Sequence, residues 1–291
     1  MRHLRPILSP SFIPPATGKV LAKVATNLDF YLPFRQHAPS LANGRHVVYA
    51  NVDRFKSDDG VGLFNVLAFR GVFFGSPFAQ SKQYRWFESL DDWNQFHDIE
   101  NLKHRETHDE KYYVNKKCYG QPQKLRDLTL LSKYWISRKE WKNTFNKPVK
   151  PTISEVFKWL NSRRKDKSVK GTVIERTVFS NIGDLTALLI CGDLAEAGIM
   201  PMPSADEMGE LIAKLGKGAK SGMEQTGLIR AGCSAKEVCN AFVSLDLALQ
   251  RELGVEEKED MGYNVIMLEH TLCKVARLSR AVTREVLYSE I

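Results

Sequence analysis

From residue 122 onward, apolar positions recur at intervals of three and four, the spacing that lines up one face of an α-helix. Leu125, Leu128 and Leu131 share such a face, as do Val156, Trp159 and Leu160. The stripe continues with Met208, Leu211, Ile212 and Leu215, then with Val238, Phe242, Leu245 and Leu249. A last stripe runs through Val265, Leu268, Leu272, Val275 and Val282. Four Ser/Thr-x-x-Glu patterns stand at Ser137/Glu140, Thr152/Glu155, Ser204/Glu207 and Ser234/Glu237. In such a capping box the hydroxyl accepts from the third helical amide while the glutamate reaches back to the cap. They predict helices over Arg138–Phe145 and Ile153–Arg164 and two more starting at Ser204 and Ser234. Ile182–Ala197 and Glu256–Val286 complete the helical set.

The first 120 residues read differently. Pro6, Pro10, Pro14, Pro15, Pro33 and Pro39 interrupt any long helix and favour extended backbone, in an ordered or loose arm lying on the domain. Arg45–Asp53 and Val61–Gly75 are rich in Val, Phe and Tyr and flank Ser57-Asp58-Asp59-Gly60, which predicts a β-hairpin. A further strand is expected over Lys111–Val114. Between them, Ser89 precedes Leu90, Trp93, Phe96, Ile99 and Leu102, a capped helix. The expected fold is α+β, a small N-terminal β-hairpin-containing part followed by a mostly α-helical bundle. Its expected parts are a Pro-rich basic arm (1–40), a mixed α+β part (41–120), a basic aromatic helical segment (121–178) and an acidic helical bundle (179–291).

Charge sharpens that division. The net +8 of the 291-residue chain is unevenly spread. Residues 103–176 hold twenty bases against eight acids, whereas residues 177–291 hold eleven against seventeen. A basic middle beside an acidic end fits a polyanionic partner, or an internal match between the two. Cys118, Cys191, Cys233, Cys239 and Cys273 form no C-x-x-C pair, and no apolar run reaches the roughly 18 residues of a membrane span. These features predict an intracellular protein that does not engage a membrane, in the nucleus or cytoplasm. The acid-free residues 1–28 also share the composition of a mitochondrial presequence, although prolines break the helix one needs.

Candidate chemistry is sparse. His97, His104 and His108 lie among acids, and the i,i+4 pair could face one metal, but Arg105 stands where zinc proteases carry Glu. Gly216–Gly222 resembles a phosphate loop with two required glycines missing. Asp184, Asp193, Glu196, Glu269 and His270 lack the paired Glu-x-x-His pattern of bundle metal sites. No catalytic residue, metal ligand or cofactor is assigned. The basic, aromatic segment is the stronger candidate, because Lys and Arg neutralise phosphates and exposed rings stack on bases. The residues expected to touch nucleic acid or another polyanion are Lys133, Trp135, Arg138, Lys139, Lys142, Arg163, Arg164, Lys165 and Lys167. Trp141 and Trp159 fit buried helix faces instead, and Arg163–Lys167 also resembles a nuclear-import cluster. The reading is a non-enzymatic, nucleic-acid-contacting protein. Its alternatives are a protein–protein scaffold working through the acidic bundle, and a metal-dependent enzyme using the His97–Asp109 cluster.

Overall fold

A computed structural model describes residues 15–50, 52–55, 60–104, 111–112, 128–145, 148–167 and 173–289. The chain is mostly helical, and the described residues contain one two-stranded antiparallel sheet. It divides into two compact units. One joins the described residues up to Ala38 to those from Pro203 on; the other is Pro39–Met202. The first opens with α1 (Pro15–Thr26), α2 (Leu28–Tyr31) and a 3-10 turn at Arg35–His37. The second begins with α3 (Pro39–Val47), α4 (Val52–Phe55) and α5 (Val61–Ala68), which runs into a π-helical turn at Phe69–Phe73. It continues through α6 (Pro77–Gln80), α7 (Leu90–His104), α8 (Leu130–Ser137), a 3-10 turn at Arg138–Glu140, α9 (Trp141–Phe145) and α10 (Ile153–Leu160). Strands β1 (Arg163–Lys167) and β2 (Val173–Thr177) and helix α11 (Asp184–Glu196) close it. The chain then returns to the first unit with α12 (Ala205–Leu215), α13 (Ala219–Gln225), α14 (Ala235–Glu252), α15 (Val255–Met261) and α16 (Val265–Ser289).

In the first unit the expected capping boxes form. Ser204 Oγ accepts from Glu207 N at 3.2 Å while Glu207 takes the Ser204 amide at 2.9 Å. Ser234 and Glu237 repeat the arrangement at 3.3 and 2.7 Å. Helix α12 packs on α14, and α13 on α16. The α13–α16 approach is so close that a Cβ on Gly222 would lie 2.1 Å from the Leu272 carbonyl oxygen. The glycines of residues 216–222 thus serve a helix end and a helix crossing, which accounts for them without phosphate. Helix α16 also anchors the early segment. Lys274 Nζ donates to the carbonyls of Asp29 (2.9 Å) and Phe30 (2.6 Å), and Thr271 Oγ1 to that of Pro33 (3.3 Å). The described part of the Pro-rich stretch is therefore largely helical where extended backbone was expected, and it is bonded to α16.

The second unit overturns the expected N-terminal hairpin. Arg45–Asp53 contains the end of α3 and the start of α4, and Val61–Gly75 is α5 followed by the π-turn. Every residue of α5 is buried. A helix buried all round has no polar face, so its sequence is as continuously apolar as a buried strand. Asn65 supplies what a strand partner would have: its Nδ2 donates to Phe87 O at 2.8 Å and its Oδ1 accepts from Phe87 N at 3.0 Å. Phe73, Phe78, Phe87, Trp93 and Tyr112 form an aromatic core beside it, with centroids 5.1–6.4 Å apart. Expected helix α7 is present, with Ser89 Oγ accepting from Asp92 N at 3.0 Å. Of the expected strand at 111–114, Lys111 and Tyr112 form a turn and the rest lies outside the described residues. No helix of the described residues is long and apolar enough to cross a membrane.

Candidate nucleic-acid interface

Helix α10 starts at the expected Thr152/Glu155 box, with Thr152 N donating to Glu155 at 2.8 Å and Glu155 N to Thr152 Oγ1 at 3.3 Å. It stops earlier than expected. Asn161 closes it by donating its Nδ2 to Phe157 O at 3.0 Å, and two residues later the chain is extended. Arg163–Lys167, expected near a helix end, is strand β1. The Ser137/Glu140 box does not form. Ser137 has helical backbone angles, and its hydroxyl donates to Val178 O at 3.0 Å instead. Tyr134 OH reaches Ser180 O at 3.0 Å, and Val178 N reaches Ser162 O at 3.0 Å. Together these bonds clip the base of the ribbon onto α8.

A cleft of about 650 Å³ opens between α8 and the ribbon, lined by Lys133, Ile136, Ser137, Arg163, Arg164, Glu175, Arg176, Thr177, Val178 and Ser180. The register places Arg164 directly opposite Arg176, Lys165 opposite Glu175, Arg163 opposite Thr177 and Lys167 opposite Val173. Arg163 comes within 3.8 Å of Glu175, with both side chains more than half exposed, so the pair is worth little. Like charges facing each other across two strands are destabilising. Arg163, Arg164, Lys165, Glu175, Arg176 and Thr177 are all exposed, and they include both faces of the ribbon. The cleft lining thus holds four cations against one carboxylate.

Comparison with protein families, characterised proteins and solved structures finds no match. Function has to be read from the site alone.

The structure brings together Lys133, Arg163 and Arg164 of the expected contact residues, with Lys165 and Lys167 further along β1. It separates the others. The half-buried Trp135 ring meets Phe64 edge-on at 5.1 Å, and the Arg138 guanidinium covers it at 3.5 Å. Arg138 also donates to Trp135 O at 2.5 Å. Lys139 and Lys142 are exposed but do not line the cleft. Trp141 is buried, stacked on Phe145 at 3.9 Å, and half-buried Trp159 packs edge-on against Phe179 at 4.8 Å. Arg176 and Ile136 are additions that the helical pattern did not suggest. The β-branched Val173, Ile174 and Thr177, three of five residues, were the available signal for the strand.

Elsewhere the chemistry is structural. His97 stacks on Trp93 at 5.4 Å and meets Asn101 at 3.2 Å; the His104 side chain and His108 lie outside what is described. No group of three metal-ligating side chains occurs among the described residues. Cys191 is buried, and burial raises its thiol pKa, which keeps it protonated and unreactive. A smaller cavity of about 280 Å³ is lined by Leu41, Arg45, Tyr49, Asp193, Glu196 and Ala197. Its polar walls are spoken for: Tyr49 OH donates to Asp193 at 2.8 Å and Arg45 pairs with Glu196 at 2.8 Å. Burial, then the Asp193 charge, pushes the Tyr49 pKa well up.

Proposed function

We propose that this protein binds nucleic acid through its phosphates, using the cleft between α8 and the ribbon. One observation carries the reading: Arg164 and Arg176 are held face to face on an exposed ribbon, beside Lys133. Two guanidiniums set opposite each other cost stability, and a bound phosphate backbone brings negative charge to both. The original stretch of bases and aromatics divides accordingly. Its rings belong to packing and the bases that line the cleft to binding, so contact rests on charge rather than on stacking.

The test is fluorescence anisotropy of the full chain with a labelled 20-nucleotide duplex over a salt series. Log affinity is expected to fall linearly with log salt, by about 0.9 for each phosphate neutralised. Arg164→Gln with Arg176→Gln is expected to shallow that slope by about 2. No binding at low salt, or a slope unchanged by the double substitution, overturns the proposal.

A further inference from the structure

We infer that Tyr134 is a positioning residue of the phosphate cleft: its hydroxyl, with that of Ser137 beside it, presets the spacing between the two cationic walls. This rests on the nucleic-acid reading above and names what makes that site ready to bind.

The cleft carries its charges on separate elements. Lys133 stands on α8, whereas Arg163, Arg164 and Arg176 belong to the ribbon. Cations on both walls repel across the gap, and one carboxylate, Glu175, offsets only part of that. A pair of hydroxyls joins the walls at the floor. Tyr134 and Ser137 lie three residues apart, on one face of α8. Tyr134 OH donates to Ser180 O and Ser137 Oγ to Val178 O, each at 3.0 Å. The Val178 amide donates in turn to Ser162 O at 3.0 Å, so both roots of the ribbon are tied to α8 through this segment. Phe179, between the two acceptors, is buried, and its ring meets Trp159 of α10. That ring fixes the root to α10, while the hydroxyls fix it to α8, the opposite wall.

Tyr134 is set apart from the cleft lining. It is fully buried and does not line the cleft, so it acts on a bound backbone through Val178 and Ser180, which do. Where the walls are held, the free protein is already competent to bind. Where they drift, apparent affinity falls in proportion to the competent fraction. The contacts in the complex stay the same, and so does the number of phosphates neutralised. Positioning therefore weakens Kd at an unchanged salt slope, whereas loss of a contacting cation lowers the slope.

The experiment measures binding of a labelled 20-nucleotide duplex over a salt series by the full chain, Tyr134→Phe, Ser137→Ala and the double variant. All are held below their thermal transitions, with the active fraction set by stoichiometric titration. Each single variant is expected to raise Kd about fivefold and the double about twentyfold, the worth of one and two net hydrogen bonds. The slope should match the parent throughout. Ser137→Thr keeps the donor and is expected to bind like the parent. Should Tyr134→Phe not fold, Ser137→Ala carries the same comparison. Amide exchange at Val178, read without ligand, is expected to quicken in the same variants. Kd of the variants within about twofold of the parent, or Val178 exchanging no faster, overturns the positioning role while phosphate binding stands. A slope lowered by about 1 overturns it too, because the complex has then lost a cation. Absence of binding by the parent overturns both readings.

Discussion

The Arg70 guanidinium and the Asp193 carboxylate meet through two hydrogen bonds, Nε to Oδ2 at 2.5 Å and Nη2 to Oδ1 at 2.6 Å, and neither side chain is more than 2% exposed. The π-turn carries Arg70 and α11 carries Asp193, so the pair ties the early helices of its unit to its last one. The Arg70 guanidinium also lies over the Phe74 ring at 4.2 Å. A buried pair of this kind barely repays its desolvation, yet half of it alone is far worse. Asp193→Ala is expected to cost about 3–5 kcal/mol. Combining Arg70→Met with Asp193→Leu should recover much of that loss. Denaturant midpoints of the three variants check both statements.

A second prediction concerns Gly71. A Cβ there would fall 2.1 Å from the Tyr134 hydroxyl oxygen and 2.7 Å from its ring. Tyr134 is fully buried and cannot swing away without breaking its bond to Ser180 O. Gly71→Ala is expected to destabilise by about 1–3 kcal/mol despite the better helix propensity of alanine. Adding Tyr134→Phe removes the closest atom, so the double variant should lose less than the two single losses summed. A thermal-melt double-mutant cycle measures this coupling.

The first unit should respond to pH through Glu269. Burial pushes its pKa from 4.5 up to about 7, against the opposing pull of Arg35, Arg277 and Lys274. Between these values the folded state holds a proton that the unfolded state has released. Stability from this group is therefore full below about 4.5, falls as pH rises to about 7, and is flat beyond. The loss amounts to at most about 3 kcal/mol. Glu269→Gln should flatten the difference between melts at pH 5 and pH 8; an unchanged slope would mean that burial is not the controlling cause.

The cleft also separates bases that the sequence treats alike. Lys133→Ala should weaken duplex binding and lower the salt slope by about 1. Lys139→Ala with Lys142→Ala, outside the cleft, should change affinity less than Lys133→Ala does alone. The reverse order would place the contact on the Arg138–Glu140 turn and α9 and not at the ribbon.

Legibility followed the physics of each signal. Thr152, Ser204 and Ser234 were readable because a capping box is local, two hydrogen bonds within four residues. Ser137 carries the same pattern, but Val178 offers its hydroxyl a carbonyl from 41 residues away, and a long-range partner leaves no local trace. Val61–Gly75 misled because burial on all sides erases the period that tells helix from strand. The ribbon was missed for the opposite reason. Arg163–Lys167 has no apolar residue, so its strand is defined by pairing with residues six to fourteen positions on. The bases of the site were visible; that Arg164 would face Arg176 was not, since register belongs to the pair of strands.

The lysine of α16 that holds Asp29 and Phe30 has a consequence for biosynthesis. The early helices of the first unit emerge from the ribosome long before Lys274 does. Residues 39–202 are complete in the interval and can fold while their flanking unit is still waiting for its second half. A chain halted before α16 would present the ribbon and its cleft already built, but with α1 and α2 unmoored, and quality control in the cell would meet that half-finished state first.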